Sequence, residues 1–385
     1  MRMVADLYAY INTKTHLEIC MGYINKMKRA ILLEGILLSA LVVVEMAGNV
    51  NGGETWGYAV NFSDEEYVGN KHDAASVTAT QSDEVNTKGD YIKWVDFNVS
   101  YEALCRAYEM DVKTYGEDIE LNWIELLAYT GARTGGEFDK KACKYIESVA
   151  EDILNGDTTM EEITKDMESY PYYFEAYSAV LDGLVGEFEA EVSNESGKVS
   201  WEKCYGLKGF SPVAKGFYYE DYDDFGAARS YGYKRPHLGH DMMGQTGTPI
   251  IAIEGGTVEA LGWNQYGGWR IGIRSHDKKR YYYYAHLRQN YPYADWIEEG
   301  SEIKPGDVIG YMGRTGYSTE ENVNNIEVTH LHWGLQLIFD ESQKEGNNEI
   351  WIDVYDLTRF LYKNRCEVVK VEGTKEWVRV YDVRE

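Results

Sequence analysis

Between residues 91 and 192, apolar residues recur at intervals of three and four, the period of an amphipathic helix. Two segments begin with residues that favour a helix start, Ser100 before Tyr-Glu and Thr158 before Thr-Met-Glu. The pattern predicts helices over residues 100–108, 122–130, 140–153 and 159–167. We therefore expect a small helical accessory domain over residues 91–195.

An aromatic run, Tyr170-Pro-Tyr-Tyr-Phe174 with Tyr177, follows the last of these predicted helices. Such rings are suited either to stacking on a carbohydrate or to packing in a core, and core packing is the more common role. No motif in the helical region predicts catalysis. Binding to a glycan through this region stays open as an alternative.

After a short polar joint at residues 193–199, the apolar period becomes mostly two and glycine-rich turns separate the segments. This pattern predicts strands over residues 248–253, 256–261, 269–274, 280–285, 308–312 and 330–337. Closely spaced strands of this kind form a compact, mainly antiparallel sheet. Residues 351–364 are predicted to be a closing helix. We therefore expect a mainly antiparallel β-sheet domain over residues 200–364, a tail over residues 365–385, and an α+β fold class for the chain as a whole.

The N-terminal part has a different character. An uncharged apolar run covers residues 35–44, extends to about residues 30–48, and follows Lys26, Lys28 and Arg29. Residues 1–48 therefore indicate an export signal or a membrane anchor, with the rest of the chain outside the cytoplasm. The alternative is a buried helix, because Glu34 and Glu45 are costly in lipid.

Residues 1–26 are long and mixed for a signal, so we expect translation to start at Met27. Residues 49–90 are rich in polar residues and glycine and are predicted to be a flexible linker.

Composition narrows the classes of function. The net charge of −26 argues against a partner held through its phosphates, so nucleic acid is not expected. The five cysteines form no C-x-x-C pair, which argues against a thiolate metal site or a disulfide framework. Any bound metal must be held by nitrogen and oxygen.

Six of the eight histidines lie between His237 and Trp333. Residues two apart on a strand share a face, so His330 and His332 are expected to point into one pocket. Two nitrogens and a carboxylate oxygen, with the fourth position left to water, are what a catalytic zinc ion needs. The stretch from His237 to Trp333 is therefore the candidate metal-binding and catalytic site.

A second pair, His237 and Asp241, is four residues apart. That spacing would align the two side chains on a helix as well as on a strand. Pro236 and Gly239 disfavour a helix there, so we expect an extended or looped segment with both side chains on one face.

The order of motifs closely resembles that of the lysostaphin-type (LytM-type) zinc endopeptidases of bacterial cell walls. The resemblance covers about residues 205–340 and rests on a series of short motifs: His237-x-x-x-Asp241, Gly247-Thr-Pro-Ile-Ile-Ala, Gly255-Gly-Thr-Val, Gly262-Trp-Asn-Gln-Tyr-Gly-Gly268, Tyr284-Ala-His286-Leu, Lys304-Pro-Gly-Asp-Val-Ile-Gly310, Gly313-Arg-Thr-Gly-Tyr-Ser318 and His330-Leu-His332.

The resemblance implies the fold of that family, a duplicated hybrid motif, and one Zn²⁺ per chain. It implies that His237, Asp241 and His332 are the zinc ligands and that His286 and His330 are the catalytic histidines. Tyr231 or Tyr233 corresponds more loosely to an oxyanion-stabilising tyrosine, and we take Tyr231 as the candidate.

The chain departs from the family pattern at several points. His240 is an extra histidine inside the first motif, and we interpret it as an exposed groove residue. Trp333-Gly334 replaces the usual Phe-Glu or Phe-Gln and is expected to reshape the groove floor. Residues 317–328 form a longer loop that we expect to be one wall of the cleft, and His276 is expected to be a hydrated turn residue.

The resulting hypothesis is an exported zinc metallo-endopeptidase that cuts stem peptides or cross-bridges of peptidoglycan with metal-activated water. Its partners would be peptidoglycan peptides and, through the apolar N-terminal segment, the membrane. The alternative is a non-catalytic adaptor of the same fold that activates other wall hydrolases. Degenerate members of the family lack one or more of the five positions, whereas this chain has all five.

Overall fold

The computed structural model describes residues 69–70, 91–193, 199–231, 233–344 and 348–384. The apolar run at residues 30–48 and most of the linker at residues 49–90 lie outside the described residues. Among the described residues, no helix combines the length and the apolar composition that a membrane crossing requires. The helices and the main sheet described below belong to one compact unit, Tyr67–Glu189 with Lys203–Glu385.

Five helices lie between residues 91 and 184 of the described part of the chain. They are α1 (Tyr101–Thr114), α2 (Trp123–Thr134), α3 (Ala142–Leu154), α4 (Met160–Thr164) and α5 (Tyr170–Leu181). Side-chain caps begin three of them: Ser100 accepts from the Ala103 amide, Asn122 accepts from two amides, and Thr159 forms a capping box with Glu162. The four predicted helices are confirmed, and the aromatic run forms a fifth.

The strands, in chain order, are β1 (Gly69–Asn70), β2 (Val185–Ser193), β3 (Val199–Leu207), β4 (Glu220–Tyr222), β5 (Ala228–Tyr231), β6 (Tyr233–Pro236), β7 (His240–Met243), β8 (Pro249–Ile251), β9 (Gly256–Asn264), β10 (Gly268–Ser275), β11 (Arg280–Ala285), β12 (Glu302–Ile303), β13 (Val308–Tyr311), β14 (His330–Leu337), β15 (Ile350–Ile352), β16 (Val368–Lys370), β17 (Trp377–Arg379) and β18 (Val383–Arg384).

The main sheet of the described residues has nine strands. Its order is β1-β4-β7-β14-β11-β10-β9-β12, and β15 also pairs with β14. Every pairing in this sheet is antiparallel except that of β1 with β4. The predicted mixed fold with a mainly antiparallel sheet is therefore confirmed for the described residues.

The two faces of the sheet have different environments because side chains alternate along each strand. Leu331, Trp333, Leu335 and Leu337 of β14 are buried on one face, as are Tyr282 and Tyr284 of β11. The opposite face carries His330 and His332 of β14, with Ala285 of β11 in register with His332 and Tyr283 in register with Gly334. One face thus packs in the core, and the other forms the floor of a cleft.

The helices share a hydrophobic core with the buried face of the sheet. Phe360 of helix α6 (Tyr355–Leu361) stacks on Trp123 of α2, with ring centroids 5.6 Å apart. Its ring also meets Tyr108 of α1 edge-on at 5.4 Å. Aromatic pairs of this kind add to the free energy gained by burial, so the helices are firmly attached to the sheet.

A buried ion pair reinforces this attachment. Arg280 on β11 is 2% exposed and donates from Nε and Nη2 to the Glu254 carboxylate at 2.7 and 3.0 Å. Its Nη1 donates to the carbonyl oxygen of Ala179 in α5 at 3.0 Å. The Tyr282 hydroxyl also donates to Glu254, at 2.7 Å. Each charge therefore has partners that compensate for its loss of water.

One sequence prediction was wrong in part. Residues 351–364 do not form a single helix, because β15 covers Ile350–Ile352 before α6 begins at Tyr355. Ile350 and Ile352 are buried and pair with Leu337 and Leu335, whereas Trp351 between them is half-buried. This period of two is a strand pattern that the helix-like spacing downstream concealed.

The aromatic run belongs mainly to the core. Tyr177 has no exposed surface, and its ring packs edge-on against Phe97 at 5.4 Å between centroids. Phe174 is 38% exposed. The core interpretation is therefore confirmed for Tyr177, and a glycan surface on this helix stays a prediction.

Replacing Arg280 with methionine should leave the Glu254 carboxylate buried without its cation. We expect Arg280→Met to lower the free energy of unfolding by about 3–5 kcal/mol. Lys304→Met is the matched control, because it breaks an exposed pair with Asp382 and should cost less than about 1 kcal/mol. Urea unfolding of both variants provides the measurement, and equal losses would contradict the role assigned to Arg280.

Candidate active site

The candidate ligands converge because strands β7 and β14 pair in one register. Asp241 lies directly opposite His332, and Met243 lies opposite His330. Leu331, between the two histidines, has no exposed surface. His330 and His332 therefore point away from the core on the same face, as the strand geometry predicted.

His237 reaches the same place from the irregular segment that joins β6 to β7. The backbone there is extended or looped rather than helical, as predicted. Gly239 permits the approach, because a Cβ at this position would lie 2.6 Å from His332 Nε2 and 2.8 Å from the Trp333 carbonyl oxygen. A side chain larger than hydrogen would displace the His332 ring.

Three donor atoms form a small triangle in this site. His237 Nε2 lies 3.0 Å from Asp241 Oδ1 and 2.9 Å from His332 Nδ1, and His332 Nδ1 lies 2.9 Å from Asp241 Oδ1. Within the described part of the chain, these three residues are the group of histidine, cysteine and acidic side chains close enough to hold one metal ion. Two imidazole nitrogens and one carboxylate oxygen fit zinc at a site that keeps a position for water.

Two residues that the sequence did not point to support the triangle. His237 Nδ1 lies 3.2 Å from the carbonyl oxygen of Asp224 and 3.1 Å from its Oδ1. Both partners can accept a hydrogen bond, so Nδ1 donates to Asp224, and Nε2 faces Asp241 and His332. Arg229 donates from Nη2 to Asp241 Oδ2 at 2.9 Å and also pairs with Asp224.

Protonation follows from burial and these contacts. Burial lowers the pKa of His237, but hydrogen bonds to Asp224 and Asp241 outweigh it and raise the pKa to about 9. Burial raises the pKa of Asp241, yet the hydrogen bonds of His237 and His332 hold it well below its ordinary value. Asp241 is therefore ionised and ready to bind a cation.

His286 and His330 lie beside the triangle, with ring centroids 4.7 Å apart. His286 Nδ1 donates to the Thr315 carbonyl oxygen, and His330 Nδ1 donates to the Val328 carbonyl oxygen, both at 2.9 Å. Because a carbonyl only accepts, each ring keeps its Nε2 lone pair for other partners.

Burial and the neighbouring histidines hold the pKa of His286 well below its ordinary value, so its imidazole is neutral. The backbone at His286 has a φ of 60°, a conformation that residues other than glycine rarely adopt. Its amide donates to the Gly267 carbonyl oxygen at 2.7 Å, which helps to hold this conformation. Local strain of this kind is often found at functional sites.

Tyr231 is the last residue of β5 and pairs with Tyr233 across a tight hairpin. The side chains of both tyrosines lie outside the described part of the structure. The hairpin does carry Arg229 to Asp241, so Tyr231 is two residues from a side chain that contacts the site. Its role in stabilising an oxyanion stays a prediction.

The other two histidines have different environments. His276 is exposed in a turn, as predicted. His240, however, is 2% exposed and its Nε2 lies 2.9 Å from Asp221 Oδ2, so the prediction of an exposed groove residue was wrong. The reason is strand alternation: Asp241 faces the cleft, and its neighbour His240 therefore faces the other side.

The ligands line a cleft of about 500 Å³ that runs across the strands β14, β11 and β10. Tyr283 and Trp351 lie on its aromatic floor. Gly334 makes room for the indole of Trp351, since a Cβ there would lie 2.9 Å from it. Trp333 instead faces the core and donates to Thr358 of α6 at 3.2 Å. The pair Trp333-Gly334 thus sets the cleft floor.

Part of the chain is similar to proteins of a known family. Residues 235–346 match peptidase family M23. The chain is 40% identical over 111 residues to an L-Ala–D-Glu endopeptidase of Bacillus subtilis, a match that covers 29% of this chain and 32% of the relative. It is 35% identical over 98 residues to lysostaphin of Staphylococcus simulans, covering 25% of this chain and 17% of the relative.

The chain therefore spans about a third or less of the length of these curated relatives. Among solved structures, the catalytic domain of the antimicrobial peptidase lysostaphin from Staphylococcus simulans is 27% identical. That comparison covers 37% of this chain and 92% of the other, with a TM-score of 0.29. The similarity to peptidase family M23 rests on the sequence matches.

Substitution of Gly239 tests how closely the donor atoms must approach. We expect Gly239→Ala to displace the His332 ring and to weaken zinc binding by about 10–100-fold, the range seen when the surroundings of a ligand are disturbed. Gly186→Ala is the control, because a Cβ there meets nothing nearer than 3.7 Å. Competition with a chelator measures the affinities, and equal values for the two variants would contradict this account.

Proposed function

From the premise that residues 235–346 form a domain of peptidase family M23, we propose that this chain is a zinc-dependent endopeptidase that hydrolyses peptide bonds in bacterial peptidoglycan. One observation carries the proposal: the triangle of His237, Asp241 and His332 lines one cleft together with His286, and the ring of His330 packs against that of His286. The names of two relatives support the substrate class: the L-Ala–D-Glu endopeptidase of Bacillus subtilis and a peptidoglycan DD-endopeptidase of Vibrio cholerae.

In this proposal His237, Asp241 and His332 hold the metal. When bound, a zinc ion supplies Lewis acidity, which polarises a peptide carbonyl and makes water a nucleophile near neutral pH. Asp224 and Arg229 keep the ligands oriented, the first through His237 and the second through the outer oxygen of Asp241. The negative charge of Asp241 is thus shared between the metal site and a guanidinium.

His286 and His330 accept and donate protons during hydrolysis. Each holds its Nδ1 proton on a backbone carbonyl, so each Nε2 can accept a proton from water or, once protonated, donate a hydrogen bond to an oxyanion. Hydrolysis adds water across the C–N bond, and the proton taken up at Nε2 goes to the leaving amine. The low pKa of His286 favours its return of that proton.

The proposed place of action is outside the cytoplasmic membrane, where peptidoglycan lies. The apolar run at residues 30–48, preceded by Lys26, Lys28 and Arg29, supports export or anchoring. We propose further that residues 91–195 position the peptidase at the wall. The helices α1 to α5 share a hydrophobic core with the sheet, so they would move with it as one body.

Loss of a ligand tests the enzymatic function. We expect His332→Ala to reduce the digestion of purified cell wall by more than about 100-fold, since losing a ligand costs more than losing a group that orients one. His276→Ala is the matched control, because that histidine is exposed and far along the sheet, and it should digest wall within about twofold of the native chain. Dye release from labelled wall gives the rates. Equal activity of the two variants would refute the proposed endopeptidase function.

Metal content distinguishes the enzyme from a non-catalytic adaptor of the same fold. The native chain, dialysed against zinc and then freed of excess metal, should retain one zinc ion per chain, and His237→Ala should retain none. Elemental analysis together with protein concentration gives the ratio. A native chain that takes up no zinc yet remains folded would favour the adaptor.

A further inference from the structure

Two arginines, Arg235 and Arg270, line the cleft of the candidate active site. The chain as a whole carries a net charge of −26, so acidic partners are abundant. Nevertheless, neither guanidinium forms an ion pair with a carboxylate of the described residues, although many other arginines of that part of the chain do. Two unneutralised cations in one cleft require an explanation.

Arg235 is held rigidly. Its guanidinium lies over the rings of Tyr266 and Tyr317, at 4.8 and 5.5 Å from their centroids, and Nη2 donates to the Tyr317 hydroxyl at 3.1 Å. Its Nε is buried and finds no hydrogen-bond acceptor among the described atoms. Stacking between two rings fixes the plane of the guanidinium while leaving a donor unused.

Arg270 lies on strand β10, which is separated from the strand of His332 by β11. Ile271 pairs with Tyr284, so the same antiparallel register places Arg270 opposite Ala285. Ala285 in turn pairs with His332. At the ordinary spacing of strands, Arg270 and His332 are about 10 Å apart at their backbones. The small side chain of Ala285 lies between them and leaves the space open.

The Arg270 guanidinium contacts the Tyr281 hydroxyl, but its Nε is also buried without an acceptor in the described part of the structure. The nearby acids are already engaged. Asp241 binds the two histidines and Arg229, and Glu349 accepts from Trp351 Nε1 at 2.7 Å. Lys344, the next cation along the cleft, pairs with Glu259.

We propose that Arg235 and Arg270 form a carboxylate-binding subsite, and that the substrate is a peptide whose residue beside the cleaved bond carries a free carboxylate. Planar guanidinium groups with unused donors match the two oxygens of a carboxylate, and such charge-assisted hydrogen bonds are strong in a partly buried cleft. This inference rests on the proposed function and specifies its substrate. It favours acidic stem peptides over a bridge made only of glycine.

The test uses two synthetic peptides that differ in one group. Both contain L-Ala joined to D-Glu, which is joined through its γ-carboxyl to L-Lys; the α-carboxylate of D-Glu is free in one and amidated in the other. The zinc-loaded full chain should cleave the Ala–Glu bond of the free acid with a kcat/KM about 10–100-fold higher than that of the amide, the range expected for hydrogen bonds to a charged group.

Variants then assign the preference to the two arginines. Arg235→Gln and Arg270→Gln should each lower kcat/KM for the free acid by about 10-fold or more and change that for the amide by less than about threefold. Arg133→Gln is the matched control, because Arg133 also lies over two tyrosine rings, Tyr129 and Tyr145, but in the helical region. It should keep the full preference.

Three results would overturn the inference: equal cleavage of the two peptides by the native chain, variants that lose the same factor on both, or no cleavage of either peptide by a chain that digests whole wall. A native chain that binds zinc but digests neither the peptides nor whole wall would instead refute the proposed function itself. Retained zinc content in both arginine variants shows that their folds and metal sites are intact.

Discussion

The register between strands β7 and β14 is the constraint on which the site depends. It sets Asp241 opposite His332 and, because side chains alternate, sends Leu331 and Trp333 into the core. A slip of one residue would exchange the two sets and bury the histidines among apolar side chains. The apolar residues of β14 therefore stabilise the fold. By the same alternation, they determine which face of the sheet carries the two histidines.

The second constraint is the cost of holding charges away from water. Asp241 is 7% exposed, and it is stabilised as an anion by His237, His332 and Arg229. On the face of the sheet away from the cleft, the buried charges of Arg280 and Glu254 stabilise each other as an ion pair. Arg235 and Arg270 differ from these groups, because the described residues supply no anion for them, and this difference singles out their part of the cleft.

Much of the fold was predictable because the relevant signals are local. Periods of two and of three to four residues located the four central strands β9, β10, β11 and β14 of the sheet, the separate pair β8 and β13, and four of the helices, often to within two residues of their observed ends. The prediction failed at β15, where three residues pair with a strand that is distant along the chain. It failed also at His240, which strand alternation turns away from the cleft to meet Asp221 on the neighbouring strand β4.

The sequence by itself determined the candidate chemistry: the spacing of His237 and Asp241, the H-x-H of β14 and the order of the surrounding motifs are properties of the chain alone. Only the tertiary structure decided that three donor atoms meet within about 3 Å and that Asp224 and Arg229 orient them. It alone also brought Arg235 and Arg270 into one cleft. The physical reason is that each of these residues is one of many acids or arginines in the sequence, and pairing across strands selects the few that share a site.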